Sequence, residues 1–253
     1  MATGLEGRVA LVTGGGRGIG RAICLALAED GAAVAVNFRR NREAADEVVG
    51  TIESGGRQAR AYQASIDSWD EDQSLVEAVV ADFGPVDILV NNAGIASRGN
   101  TVADTDPAEL ERVIRAHAFG PHHLCKLVLP GMRTRPRGDI VMISSTATVF
   151  MAANGAPYNM GKAALEALAL TLAKEERAKG VRVNVVSPGL VETEMGRRLV
   201  QAMGVDDIAT MHSTSPFGRV CQPSDVAAVV RFLVSEQAGY VSGQRIRVDA
   251  GAS

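Results

Sequence analysis

Short apolar runs alternate along the chain with longer segments in which apolar residues recur at helical spacing. The short runs lack the polar–apolar alternation of a half-exposed strand, which is typical of parallel strands buried on both faces. Such strands, separated by helices, predict an α/β fold whose parallel sheet is covered on both sides. The predicted strands span residues 9–12, 34–36, 58–63, 86–90, 140–144, 181–186 and 245–248.

The intervening segments predict helices, and one stretch differs from this pattern. Residues 189–216 are rich in methionine, glycine and aspartate and are too long for an ordinary connection. We interpret this stretch as a substrate lid with a short helix at residues 194–203; the alternative is a packed surface excursion. No domain boundary is indicated, so residues 1–253 are predicted to form one domain. The predicted helices span residues 18–30, 42–54, 69–83, 107–133 and 157–179.

Composition and charge narrow the classes of partner. The 253 residues are 46% hydrophobic and 22% charged, and the formal net charge is −3. Without a strong positive field, neither nucleic acid nor an anionic membrane is an expected partner. Cys24, Cys125 and Cys221 lack a metal-ligand spacing and are expected to be reduced thiols, so no metal site is expected. Residues 1–7 lack signal-peptide character and no apolar run is long enough to span a membrane, which predicts a cytoplasmic protein.

A glycine-rich turn follows the first predicted strand and leads into the first helix. Residues 13–20 read TGGGRGIG, with glycines at positions 14, 18 and 20 among others. Glycines let the backbone approach a pyrophosphate closely, and the following helix presents free N–H groups and its positive dipole end. The spacing differs from G-x-G-x-x-G, so the predicted nucleotide site depends also on the surrounding strand–helix alternation.

The end of the second predicted strand bears on the choice of nicotinamide cofactor. NAD binders usually place an acidic residue there to hold the ribose 2′-hydroxyl, whereas residues 37–40 read Asn-Phe-Arg-Arg. Arg39 or Arg40 could bind a 2′-phosphate through paired hydrogen bonds, and Arg17 could add a second cation. NADP(H) is therefore favoured over NAD(H); the alternative is that the arginines after this strand form a solvated patch.

Tyr158 and Lys162 lie four residues apart in a predicted helix, and Ser145 precedes Tyr158 by thirteen residues. Side chains at the i, i+4 spacing project from one helix face. An ammonium beside a phenol favours the phenolate, so Lys162 is expected to lower the pKa of Tyr158 below about 10. This would make the tyrosine a proton donor and acceptor near neutral pH.

Taken together, these motifs resemble the short-chain dehydrogenase/reductase family, and within it most closely the 3-oxoacyl-[acyl-carrier-protein] reductases. The resemblance covers essentially the whole chain. It implies a Rossmann-type, doubly wound sheet of seven parallel strands with helices on both faces, and a homotetramer. The matching pieces are TGGGRGIG at 13–20, NNAG at 91–94, Ser145, Tyr158, Lys162, Pro188-Gly189 and Thr193.

The resemblance also implies a reaction and a set of residues for it. In the reductive direction hydride passes from the nicotinamide to a carbonyl carbon, Ser145 donates a hydrogen bond to the oxygen, and Tyr158 delivers the proton. Lys162 is expected to lower the pKa of the tyrosine and to bind the nicotinamide ribose. The residues expected along the cofactor are Gly14, Gly16, Arg17, Gly18, Ile19, Gly20, Phe38, Arg39, Arg40, Ser65, Ile66, Asn91, Ala93, Gly94, Tyr158, Lys162, Pro188, Gly189, Val191 and Thr193.

The chain departs from the family pattern at two positions. His117 stands where the family usually has an asparagine. In the family that residue bends the helix, and its main-chain carbonyl holds a water leading to the lysine. His117 is therefore a candidate catalytic residue through its backbone carbonyl or a titrating imidazole; the further alternative is a histidine that only fills space. Ser65 stands where the family commonly has an aspartate near the adenine, and it can hydrogen-bond without charge.

The sequence thus predicts an NADP(H)-dependent oxidoreductase that interconverts a carbonyl and a secondary alcohol, with a 3-oxoacyl thioester as the leading substrate. The alternatives are a secondary-alcohol, steroid or sugar dehydrogenase of the same family and, in a different class, a non-catalytic nucleotide-sensing or regulatory protein. Acyl carrier protein is acidic, so Arg133, Arg135 and Arg137 are a candidate docking cluster for it; a solvated charged face is the alternative.

Overall fold

The computed structural model describes residues 4–253; the first three residues of the N-terminal segment discussed above lie outside it. Within the described residues the strands form one parallel sheet of seven. They are β1 (Val9–Val12), β2 (Ala33–Phe38), β3 (Ala59–Gln63), β4 (Ile88–Asn91), β5 (Gly138–Ile143), β6 (Val181–Pro188) and β7 (Arg245–Val248). Their order is β3-β2-β1-β4-β5-β6-β7, so the chain reverses its direction of progress across the sheet between β1 and β4. In open α/β sheets, ligands bind at the carboxyl edge beside such a reversal.

The helices lie on both faces of the sheet, as the sequence predicted. They are α1 (Gly18–Glu29), α2 (Arg42–Ser54), α3 (Trp69–Phe83), α4 (Pro107–Ile114), α5 (Gly120–Met132), α6 (Ala147–Phe150), α7 (Ala156–Glu176), α8 (Glu194–Ala202) and α9 (Pro223–Val234). A π-helical segment, Arg115–Phe119, joins α4 to α5, and short 3-10 helices span Arg177–Lys179, Ile208–Thr214 and Glu236–Ala238. None of the helices within residues 4–253 is long and apolar enough to cross a membrane.

Two apolar cores lie on opposite faces of the sheet. Successive residues of β1 point to opposite faces, so Ala10 and Val12 join one core while Val9 and Leu11 join the other. The first core is completed by α1, α2 and α9, and the second by α3, α5 and α7. Burial on both faces explains why the strands read as continuous apolar runs rather than alternating ones.

The predicted long helix at 107–133 is not continuous. It is interrupted at Arg115–Phe119, where the backbone takes a π-helical turn before α5 begins at Gly120. A Cβ atom on Gly120 would lie 1.8 Å from the carbonyl oxygen of Ile66. The bend therefore brings the helix against the loop after β3, and only glycine fits at the contact.

Helix α9 was not predicted from the sequence, although its signals are present. Pro223 occupies the first turn, and Gln222 and Asp225 form a reciprocal capping box. Its apolar residues, including Val226 and Val230, are buried against α1. The helix covers the sheet face that would otherwise expose β5 and β6.

An ion-pair network occupies the amino-terminal edge of the sheet. Asp139 at the start of β5 is buried and pairs with Arg8, Arg137 and Arg182, at 2.8, 3.1 and 2.6 Å. Arg135 pairs with buried Asp87 at 2.7 Å, and Arg133 pairs with Glu176 at 2.7 Å. The three arginines of the candidate docking cluster are thus engaged with carboxylates of this chain, at the edge opposite the carboxyl ends of the strands.

Candidate active site

The predicted site residues gather at the carboxyl edge of the sheet. The glycine turn follows β1, Asn91 ends β4, Ser145 follows β5, and Pro188 ends β6. This is the edge at which β1 and β4 mark the reversal of strand order. The topology alone therefore brings together motifs that are more than 170 residues apart in sequence.

The glycine turn is held in place by the neighbouring strand. Gly15 N donates to the carbonyl oxygen of Asn37 at 2.8 Å, and Gly14 N donates to the Asn37 side chain at 3.3 Å. A Cβ atom on Gly20 would lie 2.2 Å from the carbonyl oxygen of Gly14, so the first turn of α1 packs directly onto this loop. Gly14 and Gly18 have φ of 63° and 53°, a region that favours glycine.

The start of α1 is suited to an anion. Arg17 is its N-cap residue and makes no side-chain cap hydrogen bond, and the first turn contains no acidic residue. The free N–H groups and the positive end of the helix dipole are therefore left for a ligand with negative charge. Gly16 packs against the start of α2 through Ala45, which keeps the loop beside the end of β2.

Arg17 also contacts the 189–216 segment. Its guanidinium pairs with Glu194 at the start of α8, and a Cβ atom on Gly18 would lie 3.3 Å from Thr193. Both partners of the ion pair are substantially exposed, so the pair contributes little stability and can be exchanged for another anion. The glycine turn and the 189–216 segment are thus neighbours.

The NNAG motif supports the glycine turn more than sequence reasoning indicated. Asn92 N and Ala93 N both donate to Thr13 Oγ1 at 2.9 Å, and the Asn92 side chain donates to the Thr13 carbonyl oxygen at 2.8 Å. The Asn91 side chain instead faces sulfur, 3.2 Å from Met142 Sδ. Thr13 and Asn92 belong to the two predicted motifs but were not among the residues expected along the cofactor; their role is the contact between the motifs.

The end of β2 presents cations without a nearby carboxylate partner. Arg39 and Arg40 are exposed, and neither forms an ion pair within the described part of the chain. The Arg42 guanidinium lies 5.1 Å from the ring centroid of Phe38, which is buried. Asn37 is committed to the glycine turn and to the carbonyl oxygen of Ala64 at 3.1 Å, so its side chain is not free.

Ser65 is paired with a carboxylate from the same loop. Its Oγ donates to Asp67 Oδ1 at 2.5 Å, and its N donates to Glu71 Oε2 at 2.7 Å. The loop thus carries negative charge on Asp67, two residues beyond the position at which the family commonly has its aspartate. Ile66 lies between them and contacts Gly120 at the helix bend.

Ser145, Tyr158 and Lys162 come together beside the end of β5. Tyr158 and the Ser145 hydroxyl are hydrogen-bonded, and Ser145 Oγ also accepts from Ala147 N at 3.1 Å. Lys162 is only 4% exposed, and its Nζ donates to the Ile143 carbonyl oxygen at 2.7 Å. Nζ lies 5.8 Å from the centroid of the Tyr158 ring.

The pKa values at this triad differ from the expectation. Burial raises the pKa of Tyr158 above its usual value, and the hydrogen bond from Ser145 offsets this only in part. Burial lowers the pKa of Lys162 to about 7, while the carboxylate of Glu166 opposes that shift. The prediction that Lys162 brings the pKa of Tyr158 below its usual value is therefore wrong for this structure, because desolvation of the phenol dominates. The phenol is protonated at neutral pH.

His117 lies in the π-helical segment and is wedged between two glycines. A Cβ atom on Gly94 would lie 2.5 Å from His117 Cε1, and one on Gly161 would lie 2.9 Å from His117 Cβ. His117 Nε2 lies 2.8 Å from the Ile95 carbonyl oxygen, to which a protonated Nε2 donates, and 3.3 Å from Ile95 N, from which an unprotonated Nε2 accepts. Burial, together with the charge of Lys162, lowers the pKa of the imidazole to about 3, so the ring is neutral in the physiological range.

The remaining predicted cofactor residues lie along the connection from β6 to α8. Gly189 N donates to the Val248 carbonyl oxygen at 3.1 Å, and Val191 forms an isolated bridge with Cys221. Thr193 caps α8 by accepting from Gly196 N at 3.0 Å. Thr193 can therefore present only its remaining hydrogen-bonding capacity to a ligand.

Comparisons with known proteins identify the family of the chain. A family model described as "Enoyl-(Acyl carrier protein) reductase" matches residues 14–253. Versicolorin reductase stcU of Emericella nidulans is 39% identical over 260 residues, covering 98% of this chain and 96% of that protein. The 3-oxoacyl-[acyl-carrier-protein] reductase FabG of Staphylococcus epidermidis is 36% identical over 242 residues, covering 96% and 97%. A solved structure of 7 alpha-hydroxysteroid dehydrogenase complexed with NADH and 7-oxo glycochenodeoxycholic acid is 34% identical, with a TM-score of 0.90, and the match covers 99% of this chain and 96% of that one.

The chain belongs to the short-chain dehydrogenase/reductase family. It is accordingly an oxidoreductase that acts on carbonyl or alcohol groups with a nicotinamide cofactor. This confirms the predicted fold class and enzyme class, and it disfavours the non-catalytic sensor that the sequence left open. The relatives named above act on chemically different compounds, so the family does not specify the substrate.

Proposed function

We propose that the protein is an NADP(H)-dependent carbonyl reductase and that its leading substrate class is a 3-oxoacyl thioester. The observation that carries the proposal is the meeting of Ser145, Tyr158 and Lys162 beside the carboxyl end of β5. A hydroxyl bonded to a protonated phenol, with a buried amine one helical turn away, is an arrangement suited to protonating a carbonyl oxygen.

The proposed chemistry assigns one task to each side chain. When bound, the reduced cofactor supplies the hydride for the carbonyl carbon. Ser145 Oγ donates a hydrogen bond to the substrate oxygen as negative charge develops on it. Tyr158 Oη donates its proton to the same oxygen, and its raised pKa keeps that proton available at neutral pH. Lys162, held by Ile143, stabilises the phenolate that remains.

The cofactor's pyrophosphate fits the start of α1. This helix has no side-chain cap and no acidic residue in its first turn, so its N–H groups suit a diphosphate. The turn residues Gly14, Gly16, Gly18, Ile19 and Gly20 would surround it. For the adenine half we assign Ser65 and Ile66. For the nicotinamide half we assign the backbone of Asn91, together with Ala93, Gly94, Pro188, Gly189, Val191 and Thr193.

NADP(H) is supported by the charges at the end of β2. Arg39 and Arg40 are exposed and form no ion pair within residues 4–253, so both are available to a 2′-phosphate. The Asn37 side chain is occupied by the glycine turn. Arg17 would exchange its exposed contact with Glu194 for the phosphate, since exposed pairs are weak. The hydroxysteroid dehydrogenase neighbour was complexed with NADH, so the support for NADP(H) comes from these residues of the chain.

A hydrophobic substrate is supported by the side chains around the reaction centre. Val149, Phe150 and Met151 follow Ser145 and are exposed. Along α8, exposed Met195 and Leu199 share a face with Met203, next to the face that buries Val200. We assign residues 189–216 as the lid that closes over an acyl chain. The fused-ring ketone classes suggested by the hydroxysteroid dehydrogenase neighbour would suit the same apolar surface and form the second candidate.

The arginine cluster does not support docking of acyl carrier protein. Arg133, Arg135 and Arg137 pair with carboxylates of this chain at the amino-terminal edge, away from Ser145. If a carrier protein delivers the thioester, its contact lies at the carboxyl edge. We expect a homotetramer, because Phe119, Met160 and Leu170 are exposed apolar side chains on the helices at and after the bend. We also expect the protein to be cytoplasmic.

The test is a substrate and cofactor panel. Purified protein is assayed with 3-oxoacyl thioesters of several chain lengths, simple ketones and fused-ring ketones, each with NADPH and with NADH. We expect the highest kcat/KM for a 3-oxoacyl thioester with NADPH. A higher kcat/KM for a fused-ring ketone would replace the leading substrate class. A preference for NADH would contradict the cofactor assignment.

A further inference from the structure

Glu166 is a buried carboxylate four residues beyond Lys162 on α7, and therefore on the same helix face as Lys162 and Tyr158. Its sequence position alone did not indicate a role. Its Oε1 lies 2.6 Å from Ser144 Oγ, 2.9 Å from Thr148 Oγ1 and 3.3 Å from Ser187 Oγ, and its Oε2 lies 2.7 Å from the Arg245 guanidinium. One carboxylate thereby joins the active-site helix to β6, β7 and the turn after β5.

Two of these donors flank the catalytic serine. Ser144 immediately precedes Ser145, and the Thr148 hydroxyl lies 3.0 Å from the Ser145 carbonyl oxygen as well as 2.9 Å from Glu166. Holding both sides of Ser145 against α7 fixes the distance between the serine and Tyr158, which is carried by that helix. A carboxylate can accept several hydrogen bonds at once, so it suits this position.

The same carboxylate acts on the charge of Lys162. Within the described residues Lys162 forms no direct ion pair, and its Nζ donates to a neutral carbonyl, that of Ile143. Burial disfavours the ammonium, and the negative charge of Glu166 opposes this effect. The other titratable groups around Lys162 are Tyr158 on α7 and His117, which is neutral, while Arg245 lies beyond Glu166 and compensates part of its charge.

We propose that Glu166 is a positioning residue that keeps Lys162 protonated and holds the Ser145 turn in register with Tyr158. Its effect on turnover rests on the proposed function, whereas the charge of Lys162 can be measured without any substrate. The positive charge of Arg245 compensates part of the negative charge of Glu166. Removing the charge of Glu166 should therefore lower the pKa of Lys162, and removing the charge of Arg245 should raise it. A purely structural contact between Glu166 and Arg245 has no such consequence.

The lysine titration can be observed directly because the chain has only four lysines, at positions 126, 162, 174 and 179. The probe is NMR of isotope-labelled lysine side chains in the full-length protein across a pH series, with the Lys162 signal assigned by its loss in Lys162→Met. Glu166→Gln keeps the shape of the side chain and removes its charge. It should lower the titration midpoint of Lys162 by about half a pH unit or more. Arg245→Met should move it up. Glu175→Gln, an exposed residue of the same helix, is the matched control and should leave it unchanged.

Opposite shifts in the two variants would support the proposal. Shifts in the same direction, or unchanged midpoints, would overturn it. The Arg245 side chain is 44% exposed, so Arg245→Met tests the proposal even where Glu166→Gln does not fold, and an unmoved midpoint there also overturns it. Opposite shifts in a protein that reduces no carbonyl compound would support the role of Glu166 in charging Lys162 and contradict the proposed function, which keeps the two outcomes separate.

Discussion

The imidazole of His117 lies edge-on to the phenol ring of Tyr158, with ring centroids 5.3 Å apart and an interplanar angle of 83°. The histidine is 1% exposed, and its Nε2 lies 2.8 Å from the Ile95 carbonyl oxygen. The π-helical bend is present with histidine in place of the family's asparagine. These contacts indicate that His117 acts through its backbone and that its ring fills space. They do not favour proton transfer by the imidazole.

His117→Asn should therefore retain turnover. With the pKa of the imidazole lowered to about 3, the ring carries no proton to relay at neutral pH. We expect kcat within about threefold of the parent, less than ~0.7 kcal/mol of barrier, and a pH profile of unchanged shape. The measurement is kcat against pH for both proteins. A tenfold loss accompanied by the disappearance of a titration near the ordinary histidine pKa of about 6.5 would instead assign the relay to the ring.

The stability of the fold should depend on pH through the same residue. The folded-state pKa of about 3 lies below the unfolded value of about 6.5, so at acidic pH the unfolded chain binds a proton that the folded chain does not. The contribution of the buried neutral imidazole to the free energy of unfolding is complete above the pKa of the unfolded state. It is lost as the pH falls towards the pKa of the folded state. Urea unfolding of the parent and His117→Asn should show their difference in unfolding free energy changing by about 1 kcal/mol per pH unit below about pH 6. A difference that is constant with pH would contradict the burial argument.

Two glycine substitutions test the close contact at the helix bend. Gly120→Ala should lower the free energy of unfolding by about 2 kcal/mol or more, because its Cβ atom would lie 1.8 Å from the Ile66 carbonyl oxygen. Gly50→Ala is the matched control: Gly50 lies inside α2 with open space around its Cβ position, and alanine should stabilise that helix by about 0.5–1 kcal/mol. Thermal or urea unfolding of both proteins gives the comparison. Equal stability of Gly120→Ala and the parent would mean that the bend does not press on the loop after β3.

Much of the fold was predictable because the strands are buried on both faces. All seven predicted strands overlap the observed ones and differ by at most two residues at either end. The π-helical bend was not predictable from periodicity, since it depends on Gly120 meeting Ile66, a contact across more than fifty residues. Helix α9 was predictable, because Pro223 and Asp225 are local signals of a helix N-terminus.

In the candidate site, too, local features were predictable from the sequence and features that depend on tertiary contacts were not. Tyr158 and Lys162 were identifiable from their spacing on one helix, and Ser145 from its place after a strand. Both are local signals in the sequence. The raised pKa of Tyr158 was not, because desolvation depends on what surrounds the ring. Glu166 shows the same limit: its place on the helix face is visible in the sequence, but its partners come from the turn after β5 and from β6 and β7.

The preference for NADP(H) should depend on the cations at the end of β2. Arg39→Ala should weaken NADPH binding about tenfold, ~1.4 kcal/mol, and leave NADH binding nearly unchanged, because only NADPH carries the 2′-phosphate. Fluorescence titration with each cofactor provides the dissociation constants. Arg57→Ala, an exposed arginine at the opposite edge of the sheet, is the control and should affect neither. Equal weakening of both cofactors by Arg39→Ala would remove the basis of the assignment.

Tyr158→Phe tests whether the phenol of Tyr158 is the proton donor of the reaction. Phenylalanine keeps the ring packed against His117 and removes the proton that the carbonyl oxygen needs. The measurement pairs kcat for the best ketone or thioester with the dissociation constant of NADPH for the same variant. We expect kcat to fall at least about a thousandfold, ~4 kcal/mol of barrier, with NADPH binding within about twofold of the parent. A variant that binds NADPH normally and retains half the parent's kcat would show that Tyr158 is not the proton donor.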